Sequence, residues 1–331
     1  MKRIEQLLDN IYIKISGVLA IILSPFVDAI GSPAYWYLFI TLFLFLVFGI
    51  SQEWKKALKL SQEIIHIPIV IKIDNGPDLT YVIKNLMNEI EKENGINDYE
   101  NTLKKYLGIN IDSLIYEYKG SLYDFDRLIS FSRIIKFNIN KISTQLNGKV
   151  KFHIAYYRRP SVGFMLGTIF RTEGICVYQN NDSNNKFYKI ADINNREYKT
   201  GVNKFEKYDI NFQINDKKDE QVLVVIESSS HYVAIKTSNL NEYSNIVRIR
   251  LIEGSTIPYE SDWILYAREI YTILNKLQTE YKKIIIAHSM PESLAIILGM
   301  AIENYWNLSI TQYENNSEYR FVYNLKDIKY F

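Results

Sequence analysis

Hydrophobic positions change their spacing twice along the chain. From Ala29 to Gln52, AIGSPAYWYLFITLFLFLVFGISQ has no charged residue, and its core YWYLFITLFLFLVFGI is long enough to cross a bilayer as a helix. The preceding run IYIKISGVLAIILSPFVDAI, Ile11 to Ile30, is interrupted by Lys14, Pro25 and Asp28. It reaches bilayer thickness only with Lys14 snorkelling to one interface and Asp28 at the other. A signal-peptide-like or interfacial helix is the alternative for this first run. Residues 1–50 are therefore expected to form a two-helix transmembrane hairpin, and residues 51–63, SQEWKKALKLSQE, a helical linker.

Beyond the linker, β-like runs alternate with amphipathic helices. IIHIPIVIKI, Ile64 to Ile73, reads as a buried strand closed by the turn DNGPD. YVIKNLMNEIEKE and DFDRLISFSRIIKFNINKISTQL carry apolar residues at helical spacing, and KVKFHIAYY reads as a strand. This alternation predicts an α/β fold with a mainly parallel, doubly wound sheet.

The arrangement then occurs a second time. KVKFHIAYYRRPSVGFMLGTIFRTEGICVYQNND followed by KFYKI aligns with KKIIIAHSMPESLAIILGMAIENYWNLSITQYEN followed by YRFVYNL. Ala155 matches Ala287 and Gly167 matches Gly299, each 132 positions on, while Pro160 and Pro291 differ by one position. Each unit runs strand, loop, proline-started helix, glycine, strand, polar turn, strand, which is the mark of an internal duplication. VLVVIESSSH, Val222 to His231, opens the second half as IIHIPIVIKIDNG opens the first. The halves are expected at about 64–200 and 220–331.

Charge narrows the functional classes. A formal charge of +2 over 331 residues gives no basic face for long nucleic acid, but leaves room for one small anion held by a few local cations. One cysteine, Cys176 in GICVY, and four scattered histidines supply no metal-ligand cluster, so neither metal nor cofactor is expected. Lys2, Arg3 and Lys14 precede the first apolar run, Lys55, Lys56 and Lys59 follow the second, and the connection DAIGSPA has no basic residue. The positive-inside rule then places both termini of the hairpin in the cytoplasm.

One stretch raises an enzymatic alternative. In KKIIIAHSMPESLAIILGM, Ser289 lies between a strand and a helix, as in the G-x-S-x-G nucleophile elbow of serine hydrolases. Ala287 and Pro291 stand where that elbow needs glycine, and no histidine follows Ser289 to act as base: the four are His66, His153, His231 and His288. Ser289 is equally suited to capping the following helix or to holding a ligand.

The two Rossmann-like halves resemble the SAVED domain of bacterial anti-phage signalling. The residues that carry the resemblance are the apolar strand Ile284 to Ala287, the polar turn His288 to Pro291, Gly299 in the helix, and the Tyr313–Glu314 pair at the end of the next strand. It extends over roughly Ile64 to Leu325. The resemblance implies two tandem CARF-like halves fused as one SAVED domain. With a membrane hairpin in front, it implies a transmembrane effector of a cyclic-oligonucleotide-based anti-phage signalling system (CBASS). Its ligand would be a cyclic oligonucleotide, a tri- or tetranucleotide, made by a cognate nucleotidyltransferase. Homo-oligomerisation and disruption of the lipid bilayer would follow, without catalysis by the chain itself.

In open α/β sheets, ligands bind beyond the carboxyl ends of the strands, where helix N-termini present amides to anions. The residues expected there are Asn75, Gly76, Tyr157, Arg158 and Arg159 in the first half, and Ser228, Ser229, Ser230, His288 and Ser289 in the second. Cations and hydroxyls suit phosphates, and Tyr156, Tyr157 or Tyr259 could stack on bases. A membrane-anchored serine hydrolase using Ser289, a nuclease cleaving its own messenger, and a ligand-free scaffold remain alternatives.

Overall fold

A computed structural model describes residues 17, 37, 40–41, 43–52, 64–74, 78–181, 186–194, 196–215, 219–235, 238–314 and 318–329. The chain divides into two compact units, one of residues 1–65 with 98–111 and one of residues 66–97 with 112–331.

In the first unit, residues 43–52 are helical, and Ile40, Phe43, Leu44 and Val47 are exposed. Most of the expected hairpin and linker lies outside the described residues. Among the described residues no helix is long and apolar enough to cross a membrane.

The second unit holds two sheets. The first has the order β2-β1-β3-β4-β5, with β1 Ile65–Ile73, β2 Ile115–Tyr118, β3 Val150–Tyr157, β4 Gly174–Asn181 and β5 Lys186–Ile193. The second has the order β11-β10-β9-β7-β8-β6, with β6 Tyr208–Ile214, β7 Gln221–Glu227, β8 Asn245–Leu251, β9 Lys283–Ser289, β10 Leu308–Glu314 and β11 Glu318–Asn324. Apart from the extra edge strand β6, the second order repeats the first, β7 standing for β1, β8 for β2 and β9 for β3. β1 pairs parallel with β2 and β3 with β4, while β5 is antiparallel to β4. In the second sheet β8, β7, β9 and β10 are parallel neighbours, flanked by antiparallel β6 and β11. The central strands are buried on both faces, which is why they read as near-continuous apolar runs. All eight residues of β3 are buried.

Among the described residues, five long helices flank the sheets: α1 Leu79–Asn94, α2 Phe125–Gln145, α3 Pro160–Phe170, α4 Trp263–Glu280 and α5 Glu292–Ala301. Aspartates cap three of them: Asp78 accepts from Thr80 N at 2.9 Å, Asp124 from Arg127 N at 3.2 Å, and Asp262 from Ile264 N at 3.1 Å. Trp263, Tyr266 and Ile270 form the buried face of α4, as their helical spacing predicts. The second half has no counterpart of α1 among the described residues, where the β7–β8 connection carries one 3-10 turn, Asn239–Glu242.

The halves join where α3 meets α5, and the duplicated glycines sit at that crossing. A Cβ added at Gly167 would lie 2.7 Å from Gly299 Cα, and one at Gly299 would lie 2.8 Å from Phe164 Cα. Backbones approach this closely only where side chains are absent. Two serines, 132 positions apart, reach across reciprocally: Ser161 Oγ donates to Gln312 Oε1 at 2.7 Å, and Ser293 Oγ to the Tyr178 carbonyl at 3.0 Å. The junction therefore has an approximate two-fold character, one copy's helix against the other copy's strand.

Candidate anion-binding cleft

The turn after β1 and the turn after β3 both leave the ordinary backbone regions. Asp74 has φ 62°, Arg158 φ 70° and Arg159 φ 55°, three of the five non-glycine residues with positive φ among the described residues. Such conformations persist only when neighbours enforce them, and they gather at ligand clamps. Here Asp74 N–H donates to the Tyr118 carbonyl at 2.9 Å, and the Tyr156 hydroxyl donates to the Arg159 carbonyl at 2.7 Å. Burial raises the Tyr156 pKa well above its ordinary value, so the phenol stays a donor.

These turns form one wall of a cleft of about 820 Å³ lined by Asp74, Lys119, Arg158, Arg159, Glu292 and Gln312. Asp74, Lys119 and the arginines follow the carboxyl ends of β1, β2 and β3, while Glu292 opens α5 and Gln312 lies on β10. Three cations against two carboxylates leave the lining one positive charge in excess. Arg158 is exposed, and Arg159 Nε donates to Asp74 Oδ2 at 2.8 Å. Lys119 pairs with Glu117 at 3.0 Å, and Gln312 is held by Ser161. The arrangement offers charge-assisted donors to a small anion beside the first turn of α3.

The expected residues divide clearly. Arg158 and Arg159 line the cleft. Asn75 and Gly76 lie outside the described residues. Tyr156 and Tyr157 were expected as stacking faces, but both are buried, because all of β3 is covered on both sides. Tyr156 braces the arginine turn instead, and Tyr157 packs edge-on against Phe187 at 6.2 Å. Tyr259 stacks on Tyr188 with centroids 4.5 Å apart and planes within 14°, joining the β8–α4 loop to β5.

The serines of the second half form a network of their own. Ser228 N–H donates to the Ser289 carbonyl at 2.7 Å, Ser228 Oγ meets the Tyr208 hydroxyl at 2.7 Å, and Ser229 Oγ is hydrogen-bonded to Ser289 Oγ. Ser230 is exposed. Beside them the buried Glu227 carboxylate accepts from Arg248 Nη1 and Arg250 Nε, both at 2.8 Å, and from Val233 N at 3.0 Å. His288 packs against Phe164 with ring centroids 5.6 Å apart, and burial lowers its pKa to about 4, leaving a neutral ring. Sequence reasoning treated these strand ends like those of the first half. In the structure, the first half brings an exposed Arg158 to the cleft beside the Arg159–Asp74 pair, while the second half ties its hydroxyls and its Glu227 carboxylate into internal contacts.

Four cleft residues went unrecognised in the sequence: Asp74, Lys119, Glu292 and Gln312. Asp74 belongs to DNGPD, where aspartate reads as turn chemistry, and Lys119 follows a four-residue edge strand with little periodicity. Glu314, of the Tyr313–Glu314 pair, accepts from the Tyr123 hydroxyl, and the Arg320 guanidinium lies 3.8 Å from the centroid of the Tyr123 ring. A polar chain under the first sheet also escaped notice: His66 Nδ1 lies 2.7 Å from His153 Nε2, and His153 Nδ1 lies 2.9 Å from the Tyr178 hydroxyl, which donates to Glu93 at 3.0 Å. Burial lowers the His153 pKa to about 3.

The family model described as "SMODS-associated and fused to various effectors sensor domain" matches residues 136–326, more than half of the chain. The chain belongs to the SAVED family. Among solved structures, this SAVED chain is similar to the Cap4 SAVED/CARF-domain containing receptor of Acinetobacter baumannii with the cyclic trinucleotide 2′3′3′-cAAA. The TM-score is 0.51 at 13% identity, covering 86% of this chain and 56% of that one. The same receptor with 3′3′3′-cAAA gives a TM-score of 0.50 at 13% identity with the same coverage. At this identity the likeness is one of fold, and the match spans little more than half of the receptor's length. No curated protein is significantly similar in sequence.

Proposed function

We propose that this SAVED chain is the sensor and effector of an anti-phage signalling system, and that its cleft binds a cyclic oligonucleotide made by a partner nucleotidyltransferase. The observation that carries the reading is the cleft itself: two adjacent arginines in one strained turn at the carboxyl end of β3, with a small excess of positive charge. A ring of phosphodiesters matches such a lining, whereas the near-neutral chain offers no track for a long polyanion. Support also comes from the fold it shares with the A. baumannii receptor, which holds cyclic trinucleotides.

The effector half of the proposal is membrane damage. Ring binding would gather chains into homo-oligomers, and the apolar N-terminal segments would perturb the inner membrane. The uncharged run from Ala29 to Gln52 and the exposed apolar side chains of helix 43–52 support an anchor there. Both termini would face the cytoplasm. No catalytic step is assigned to the chain, since the Ser289 hydroxyl is paired with another serine and the adjacent imidazole is packed against Phe164.

The test uses the full-length chain in detergent and in dye-loaded vesicles, with a panel of cyclic di-, tri- and tetranucleotides and linear controls. Selective binding of one ring, followed by dye release, is the expected result. A folded chain that binds none of the rings refutes the sensor reading; binding without release refutes the membrane step alone.

A further inference from the structure

Arg158, an exposed cation of the cleft, and its neighbour Arg159 differ in one respect: Arg159 already holds an anion. Its Nε donates to Asp74 Oδ2 at 2.8 Å, with the two side chains 34% and 32% exposed. The two residues come from different strand ends, β1 and β3, and both have positive φ. Asp74 is fixed by its own N–H to the Tyr118 carbonyl, and Arg159 by the Tyr156 hydroxyl on its carbonyl. The contact thus joins two braced turns that line the cleft, and the carboxylate occupies the Nε–H, one of the donors a phosphodiester would use.

We infer that Asp74 is an internal competitor for Arg159, a latch that sets the ligand concentration at which the cleft responds. This rests on the receptor reading above and adds a regulatory residue to it. A ligand phosphate competes with the Asp74 carboxylate for Arg159, and reaches its Nε–H only by exchange of one anion for another. The pair, a third exposed, is weak enough to yield to a ring that also meets Arg158 and Lys119. Removing the carboxylate frees Arg159 and raises the excess charge of the lining. Ring affinity should then rise about fivefold, the size expected for loss of one exposed ion pair.

Asp74→Asn is the variant of choice, because asparagine tolerates the left-handed backbone that Asp74 adopts. Ring affinity is measured for the full-length wild type, Asp74→Asn, Arg159→Gln and the double variant. In parallel, phenylglyoxal labelling of Arg159 is followed by mass spectrometry without ligand, with Arg158 as the internal reference. The expected outcome is tighter binding and faster Arg159 labelling in Asp74→Asn, with most of the affinity gain lost in the Arg159→Gln background. Unchanged affinity and labelling, or a full gain that survives Arg159→Gln, overturns the latch while leaving the receptor reading intact. Absence of ring binding by all four proteins overturns both.

Discussion

Gly299→Ala tests whether α3 and α5 meet backbone to backbone. The added Cβ would stand 2.8 Å from both Cα and C of Phe164, with the Phe164 carbonyl oxygen closer still. Ordinary contact begins near 3.4 Å, so the helices must part by more than half an ångström along a junction with no flexible side chain to give way. Because every clashing atom is backbone, the overpacking cost lies in the upper part of the usual range, about 2–3 kcal/mol, offset by about 1 kcal/mol from the better helix propensity of alanine. The net loss is about 1–2 kcal/mol, which for a unit of this size lowers Tm by about 2–8 °C. Scanning fluorimetry of the full-length chain reads it directly. Gly167→Ala should behave alike. The double variant should cost less than the sum, because the first alanine has already opened the space for the second. Since Glu292 and Gln312 reach the cleft from beyond this junction, ring affinity should fall in parallel. A Tm that is unchanged or raised in Gly299→Ala would mean that helix propensity alone decides the outcome, and would refute the close crossing.

Three further outcomes follow from the site and its surroundings. Replacing Arg158 and Arg159 with Glu reverses two cleft charges, and should abolish ring binding in a titration while leaving the chain in the membrane fraction on sedimentation. His153 and His288 are held neutral in the folded state, with pKa values of about 3 and about 4, whereas the unfolded chain protonates them near 6.5. The unfolded state therefore binds more protons between pH 6.5 and 4, so Tm should be level above pH 6.5 and fall as pH drops through that window. His288→Leu should flatten part of the fall, a contribution on the order of 3 kcal/mol, and an unaltered pH profile would contradict the burial of that ring. Ser289 should resist fluorophosphonate probes because its hydroxyl faces Ser229 rather than an imidazole; stoichiometric labelling would restore it as a nucleophile.

The frame was far more legible in the sequence than the cleft. Central strands such as β1 and β9 are branched apolar runs, and the Ala155–Ala287 and Gly167–Gly299 spacing marks the duplication in the sequence itself. The structure accounts for the glycines as contact points and for the repeat as matching strand orders. Three strands are left unmarked, β2, β6 and β8: β2 and β6 are edges, one of four residues and the other mostly exposed, while β8 lies inside the sheet but alternates buried and half-buried positions instead of forming an apolar run. Cleft residues are harder to find because their meeting depends on tertiary geometry. Arg158 and Arg159 announced themselves as adjacent cations before a proline. Gln312 is one polar residue in an alternating strand, and only the docking of β10 beside α3 brings it to the site. The tyrosines misled for the converse reason: an aromatic at a strand end looks available until both faces of the sheet are filled.

The crossing of α3 and α5 also bears on how the two copies could drift apart after duplication. Over most of their length they share little but pattern, one copy keeping arginines in a cleft and the other a closed set of hydroxyls. The paired glycines had no such freedom, because each is the surface against which the other's helix rests. A larger residue in either copy wedges both, so the ancestral symmetry survives at the hinge of the two copies while the loops are released to specialise.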